Sequence, residues 1–302
     1  RMTAHGRSIE LRWPTDHDHP SHGLVVRRRM LDQLLIEHSA NTGAQVWTGV
    51  EVLEPIIEHG HLRGCRALGS GEGTGPGGEI EVRARFVVIA DGPLSPFGRA
   101  LGTARTRTYA QGIAMRGYFP SVHHDDDVIE SVFDLRDNTG EQLPGYGWVF
   151  PVGDGTVNAG VGLLSHHHAN DPRSMRELFD QWICQIPEYW QISPGDIESE
   201  PEGGRLPMGA SVRPRSGPNW VVVGDAAGSI NPFNGDGIEP ALSNGRLAAT
   251  VIGDAISSGD GLELRQYEKQ LVSNYDHYYR LGRLATKALG RPGLMRRLTL
   301  LG

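Results

Sequence analysis

The sequence predicts an α/β fold with one domain built on parallel strands and a second domain built on an antiparallel sheet. Two short apolar runs, at residues 86–90 and 220–223, each end in an acidic residue beside a glycine and lead towards a helical pattern. Such strand-to-helix units are typical of parallel sheets. Between them, residues 112–164 alternate in polarity and are interrupted by Asp, Asn, Gly and Pro turns, which favours antiparallel pairing.

The elements follow in a simple order. A helix is expected at residues 31–42, ended by Gly43. The predicted strands are 45–48, 51–58, 62–68 and 79–82, then 112–119, 129–135, 147–152 and 156–164. Helices are expected at 175–186 after Pro172 and at about 237–257 and 262–289. The first domain would comprise residues 1–108 and 208–302, with a small β meander at 45–85, and the second residues 109–207.

Composition excludes some classes of protein. A formal net charge of −7 and a pI near 6.0 argue against a nucleic-acid binder. Cys65 and Cys184 show no metal-ligand spacing, which favours a reducing cytosol. Residues 166–168 are consecutive histidines, for which an exposed turn is expected, so no metal is predicted.

The late strand carries the most informative motif. After residues 220–223 come Gly224 and Asp225, then Pro232, Gly235, Gly237 and Ile238, where a helix should begin. The carboxylate of Asp225 could accept hydrogen bonds from a polyol. The N–H groups near Gly237 and Ile238, at the positive end of the helix dipole, could face electron-rich ring atoms. A flavin offers both features, although an isolated Gly-Asp pair is more often an ordinary turn.

Two further motifs agree with a nucleotide cofactor. Asp91 and Gly92 follow the strand at residues 86–90 and precede a helix. Residues 25–32, VVRRRMLD, form a strand-to-helix pattern in which the guanidinium of Arg28 could bind a diphosphate. Taken alone, the second of these motifs would be read as a solvated basic turn.

These three motifs resemble those of the FAD-dependent oxidoreductases related to p-hydroxybenzoate hydroxylase. They also occur along the chain in the same order as in that family and at roughly its spacing. The resemblance implies a Rossmann-like FAD-binding domain with FAD as cofactor. It places Asp225 on the ribityl chain, the backbone of residues 235–238 against the isoalloxazine, and Asp91, Gly92 and Arg28 near the diphosphate.

The family's GxGxxG turn has no good counterpart. The textual match at residues 73–78 follows no strand and precedes a strand-like segment, so it offers no helix N-terminus for phosphate. We therefore expect a FAD-binding domain that is incomplete at its N-terminus by about 70 residues and binds FAD poorly as given.

An aromatic strand carries the clue to the substrate. Tyr146, Trp148 and Phe150, followed by Pro151, project to one face of an extended chain and form an apolar wall. That face could also pack on the domain's own helix. The pattern resembles a motif of the geranylgeranyl reductase family, including actinobacterial members that reduce the menaquinone tail, in which this strand lines the cavity for a polyprenyl chain.

The resemblance implies FAD-dependent hydrogenation of an isolated C=C bond in a polyprenyl lipid or quinone. No residue is assigned the role of proton donor, so the catalytic residues are unknown, and the relatives' cysteine-glycine element is absent. NADPH, ferredoxin and a quinol-linked donor all remain open as the source of electrons. The alternatives are an FAD-dependent aromatic monooxygenase or halogenase, and a truncated fragment that cannot hold FAD.

Two expectations concern the remaining surface. Cys65 is expected in the meander and Cys184 as a buried structural thiol on a helix. Residues 281–301 mix Leu and Met with Arg and Lys, so they could lie on an anionic membrane or pack as a helix with a solvated basic face. We therefore expect a cytoplasmic protein, with peripheral binding to the inner face of the cell membrane as an open option.

Overall fold

The computed structural model describes residues 1–13, 20–69, 77–109, 111–137, 139–164, 172–259 and 263–289. The chain divides into two compact units. The sheet unit comprises Arg1–Ala44, Gly112–Arg205 and Ala288–Gly302, and the parallel-strand unit comprises Gln45–Gln111 and Leu206–Lys287.

Most of the strands follow one another in runs, with single helices between the runs and two helices at the end of the described chain. The strands are β1 (Met2–Ala4), β2 (Arg7–Ile9), β3 (Val50–Glu58), β4 (His61–Gly69), β5 (Gly78–Arg83), β6 (Val87–Ile89), β7 (Ala104–Arg105), β8 (Gln111–Pro120), β9 (Glu130–Val132), β10 (Gly145–Pro151), β11 (Thr156–Leu164), β12 (Glu202–Pro207), β13 (Val212–Arg213) and β14 (Trp220–Val222). The α-helices are α1 (Arg28–Asn41), α2 (Pro96–Ala100), α3 (Pro172–Gln185), α4 (Ile238–Ser258) and α5 (Leu264–Leu289).

The sheet unit is built on a seven-stranded sheet in the order β12-β8-β11-β10-β9-β1-β2. The adjacent strands β8, β11, β10 and β9 pair with one another in antiparallel fashion, whereas β1 pairs with β9 in parallel. Helix α3 covers one face, where Phe179 and Trp182 pack against Val149 and Val161. This apolar layer forms the core of the unit because alternate residues of each strand point towards the helix.

The parallel-strand unit is centred on β6 and β14, which pair in parallel. Val221 packs with Val251 of α4 and Leu271 of α5, while Val222 packs with Ile89 of β6 and Trp220. The strands β3, β4 and β5 form an antiparallel meander beside this core.

The predicted fold class is confirmed, and the differences are local. Residues 45–48 form no strand, and β1, β2 and β12 were not predicted. The predicted strand 129–135 shortens to β9. Residues 25 and 26 are not in a strand, although α1 begins as the motif requires.

Residues 1–44 belong to the sheet unit, so the domain boundary differs from the predicted 1–108 segment at this point. The physical reason is pairing that local patterns do not reveal. Strand β1 pairs with β9, and the guanidinium of Arg27 forms ion pairs with Asp154 and Glu198.

Candidate FAD and substrate sites

The carboxyl edge of β6 and β14 brings two of the predicted motifs together. Val222 lies opposite Ile89 in the parallel register, and the Val223 N–H donates to the Ile89 carbonyl at 3.0 Å. The chain then leaves the two strands side by side, at Asp91 and at Asp225. In open parallel sheets this edge is where ligands bind.

Asp225 precedes α4 by a loop in the sequence, but its side chain lies beside the first turn of that helix in space. It is half-buried in a short 3-10 turn, Gly224–Ala227, that directly follows Val223. A Cβ atom built on Gly237, the residue before α4, would lie 3.3 Å from Asp225 Oδ1 and 3.1 Å from Ile230 Cγ1. The absence of a side chain at Gly237 therefore leaves a small cradle beside the carboxylate, as the approach of a polyol to Asp225 would require.

The loop before α4 is held by its own hydrogen bonds. The Gly235 N–H donates to the Asn231 carbonyl at 2.9 Å, and Pro232 is buried against Gly282 of α5. The Ile238 N–H donates to Asp236 Oδ1 at 3.1 Å, so the expectation of a bare amide at Ile238 is wrong. Short Asp side chains readily cap the amide two residues onward, as Asp236 does here. The Gly237 N–H makes no hydrogen bond within the part of the chain that the structure describes.

Asp91 shapes the turn that follows β6. Its Oδ2 accepts the Phe97 N–H at 3.0 Å, which satisfies one amide of the short helix α2. Gly92 takes a left-handed conformation with φ of +80°. Both residues therefore have a local role in positioning this edge, and their contact with a diphosphate stays a prediction.

Arg28 belongs to the sheet unit, where it is the first residue of α1. It is exposed and pairs with Asp32 one turn later at 3.2 Å. Its neighbour Arg27, which the sequence did not single out, is the anchored arginine. Hydrogen bonds that its guanidinium donates to Glu198 and Asp154 raise the pKa of Arg27 above its ordinary value, and the guanidinium lies 4.6 Å from the centre of the Tyr118 ring.

The aromatic residues of β10 line the face of the sheet that α3 does not cover. The ring centres of Tyr146 and Trp148 are 5.9 Å apart, those of Trp148 and Phe150 are 6.2 Å apart, and Phe133 extends the row 5.6 Å beyond Tyr146. All three β10 rings are half-buried. Pro151 is buried at the end of the strand.

The opposite face of β10 packs on the helix. Val149 is fully buried in the core, and a Cβ atom on Gly147 would lie 2.5 Å from Trp182 Cζ2 of α3. The sequence left open whether the aromatic face packs on the domain's own helix. In the structure it is the opposite face, with Gly147 and Val149, that packs on α3. The aromatic row lies on the other face, where its three rings are half-buried.

The remaining candidates contribute less. Cys184 is exposed, so its prediction as a buried thiol is wrong: it lies on the side of α3 opposite Phe179 and Trp182. Cys65 is half-buried on β4, and burial raises its pKa. No group of side chains among the described residues could hold a metal ion. Residues 70–76, within which most of the textual GxGxxG match falls, and 166–168 lie outside the described part.

No described helix combines the length and hydropathy needed to cross a bilayer.

Known proteins resemble this chain along most of its length. A menaquinone reductase of Mycobacterium tuberculosis is 36% identical over 254 residues, which cover 83% of this chain and 59% of the relative. A digeranylgeranylglycerophospholipid reductase of Methanoculleus marisnigri is 28% identical, covering 87% and 61%. A geranylgeranyl bacteriochlorophyll reductase-like protein from Thermoplasma acidophilum superposes with a TM-score of 0.75 at 26% identity, covering 87% of this chain and 63% of that structure.

The chain thus spans about three fifths of the length of the curated relatives it matches. The FAD binding domain family matches residues 3–272, which include Asp91, Asp225 and the start of α4. This match agrees with the cradle beside Asp225, and FAD is the cofactor that the family binds. The chain belongs to the FAD binding domain family.

Proposed function

We propose that this protein is an FAD-dependent reductase that saturates a C=C bond in the chain of a polyprenyl lipid or quinone. The observation that carries the proposal is the open aromatic face of β10. Its rings are half-buried, lie about 6 Å apart in a row, and are turned away from the helix that covers the other face.

A prenyl chain is the ligand class that suits this surface. It is long, flexible and almost entirely apolar, and each buried CH₂ group contributes roughly 0.8 kcal/mol to binding. Rings in a continuous row offer that burial along several carbon units. The names of the relatives point the same way, since one is called a menaquinone reductase and another a digeranylgeranylglycerophospholipid reductase.

The cofactor roles of individual residues belong to the same proposal. When bound, reduced FAD supplies the electrons for saturation of the double bond. Asp225 would accept hydrogen bonds from the ribityl hydroxyls, and the Gly237 N–H would donate to the ring system. Arg28, Asp91 and Gly92 would lie near the diphosphate, and Gly235 and Ile238 would shape the loop against the isoalloxazine.

The mass of the product tests the reaction. Lipid extracts from cells that express the gene should contain prenyl quinones or prenyl lipids with two additional hydrogen atoms, and a Trp148→Ala variant should reduce that product. A Tyr189→Phe variant, changed at an exposed aromatic residue outside the row, is the matched control. A hydroxylated or halogenated aromatic product would instead favour a monooxygenase or halogenase.

We further propose that the end of α5 contacts an anionic membrane surface, where a prenyl substrate would be found. Leu281 and Leu284 are 55% and 63% exposed on one side of the helix. Arg283 contributes less than the sequence implied, because it donates to the Gly209 carbonyl at 2.8 Å and lies over the Tyr109 ring. This placement would make the protein peripheral on the inner leaflet.

Sedimentation with liposomes tests the membrane proposal. The intact chain should co-sediment with vesicles that contain phosphatidylglycerol, and a Leu281→Ser/Leu284→Ser variant and a deletion of residues 291–302 should each reduce the bound fraction. Equal binding by all three proteins would reject a membrane role for this end of the chain.

A further inference from the structure

We infer that Asn158 and Gly160 of β11 are positioning residues that hold the Trp148 indole flat against the open face of the sheet and thereby define the surface for the apolar chain. The inference rests on the proposed function and extends it to residues that the aromatic motif does not contain. Asn158 and Gly160 act through Trp148 rather than by contact with a cofactor.

Asn158 fixes the polar end of the indole. The Trp148 Nε1–H donates to Asn158 Oδ1 at 2.8 Å. Asn158 lies directly opposite Phe150 in the antiparallel register, two pairs along from the Trp148–Gly160 pair and on the same face, so the indole leans across the neighbouring strand. An indole N–H within an apolar surface needs an acceptor, because leaving such a donor buried and unpaired is costly.

Gly160 provides the space that the indole occupies. It lies directly opposite Trp148, and a Cβ atom built on it would come within 2.6 Å of Trp148 Cε2 and 2.7 Å of the Met115 carbonyl oxygen. Its φ lies outside the left-handed region, so the conformation does not require glycine. A side chain at this position is therefore incompatible with the observed position of the indole.

The next residue on the same face gives a natural comparison. A Cβ atom on Gly162 would lie 3.7 Å from Trp148 Cζ3 and 3.9 Å from Ala114 Cβ, which are ordinary van der Waals distances. The far edge of the indole thus reaches Gly162 without needing a glycine there. Only Gly160 is required for the ring to lie flat.

The consequence is a preorganised surface. With its N–H paired and its ring over Gly160, Trp148 lies between Tyr146 and Phe150 in a continuous row, with interplanar angles of 51° and 31°. An indole released from β11 would swing outward and occupy the space above that row. A ligand would then have to order or displace the ring, which weakens binding.

Two pairs of variants test the inference. Asn158→Leu removes the acceptor at similar size, whereas Asn158→Asp retains one. Gly160→Ala displaces the ring, whereas Gly162→Ala adds the same methyl group where there is room. The first readout is hydrogen exchange of the Trp148 Nε1–H, assigned in NMR spectra by its loss in Trp148→Phe. The second is the affinity of each protein for geranylgeraniol, measured by isothermal titration calorimetry.

We expect the Trp148 N–H to be protected in the wild type, Asn158→Asp and Gly162→Ala. In Asn158→Leu its exchange should be about tenfold faster, and affinity for geranylgeraniol should fall about tenfold, in the range that pocket changes of this size produce. Gly160→Ala should weaken binding at least as much. Since that variant adds strain against Met115, Asn158→Leu carries the test if Gly160→Ala does not fold.

The inference is overturned if the wild-type indole N–H exchanges freely, or if Asn158→Leu releases it while affinity for geranylgeraniol is unchanged. A protected indole in a wild-type protein that does not bind geranylgeraniol would instead reject the proposed substrate, and with it the assignment of these residues to substrate binding. The two failures are therefore distinguishable.

Discussion

Glycine serves two different purposes in the two units. In the parallel-strand unit, Gly224 and Gly228 adopt left-handed backbone conformations, with φ of +58° and +68°, at the turn that presents Asp225. In the sheet unit, Gly147 and Gly160 have φ values outside the left-handed region. Indole rings fill the positions where the Cβ atoms of these two residues would otherwise lie. The first pair shapes the path of the chain, and the second pair leaves room for neighbouring side chains.

The difference matters for how each site is built. A site that uses backbone groups needs a chain path open only to glycine, because other residues rarely adopt left-handed dihedrals. A site that uses an apolar wall needs large rings to lie flat, and a missing Cβ atom on the neighbouring strand allows this. Substitutions at the two kinds of glycine should therefore differ in how much they lower the free energy of unfolding. They should also differ in whether a second substitution can reduce that loss.

The largest effect is expected at Gly228. A Cβ atom there would lie 2.9 Å from the Ser211 amide nitrogen and 3.1 Å from that of Val212, in addition to the cost of a left-handed alanine. Gly228→Ala should lower the free energy of unfolding of the parallel-strand unit by about 3 kcal/mol, measured by urea denaturation. Gly245→Ala, inside α4 with open space around it, should instead raise it by about 0.5–1 kcal/mol. Similar losses in both variants would contradict the distinction.

Gly147→Ala should cause the next largest loss of stability, and a second substitution should reduce that loss. Its methyl group would overlap the buried Trp182 ring, so the sheet unit should lose about 1–3 kcal/mol. In a Trp182→Leu background the same substitution should cost much less, because the obstacle has been removed. A thermodynamic cycle by urea denaturation measures this coupling, and an equal cost in both backgrounds would show that Trp182 is not the cause.

Arg27 and Arg28 compare an anchored cation with an exposed one. Arg27 pairs with Asp154 and Glu198 and donates to Thr156 Oγ1 at 2.9 Å. Since its side chain is partly solvated, Arg27→Met should cost the sheet unit about 1 kcal/mol. Arg28→Met, which loses only its pair with Asp32, should cost about 0.3–0.5 kcal/mol. Equal losses in denaturation experiments would show that the Arg27 contacts add nothing.

The smallest effect is a pH dependence in the sheet unit. A hydrogen bond from the Tyr189 hydroxyl, with a further contribution from His123, lowers the pKa of Asp126. Because the folded pKa is below the unfolded one, this contribution is fully present above the unfolded pKa of about 4 and is lost as pH falls through the lower folded value. Tyr189→Phe should raise the pKa of Asp126 towards its ordinary value in an NMR carboxyl titration, and an unchanged pKa would exclude the hydroxyl as the cause.

The sequence predicted features that depend on local patterns. The pairing of an apolar strand with a following acid located Asp91 and Asp225, and the alternation of β10 located its aromatic row. Features that depend on distant partners were not predictable: β1 joins the sheet through β9, and Arg27 is anchored by residues more than a hundred positions away. The role of Gly160 was equally hidden, because the alternating glycines at positions 160 and 162 do not show which ring lies over which glycine.

Amide NMR detects weak as well as tight binding, so titration of the whole chain with FAD and, separately, with geranylgeraniol tests the separate roles of the two units most directly. FAD should cause its largest shifts at residues 224–238 and lose them in Asp225→Ala but not in the exposed α4 control Asp254→Ala. Geranylgeraniol should shift β10 and β11 most strongly. If FAD left Gly235 and Gly237 unmoved, or if geranylgeraniol acted instead on the α3 side of the sheet, the assignment of cofactor and substrate to these two regions would be wrong.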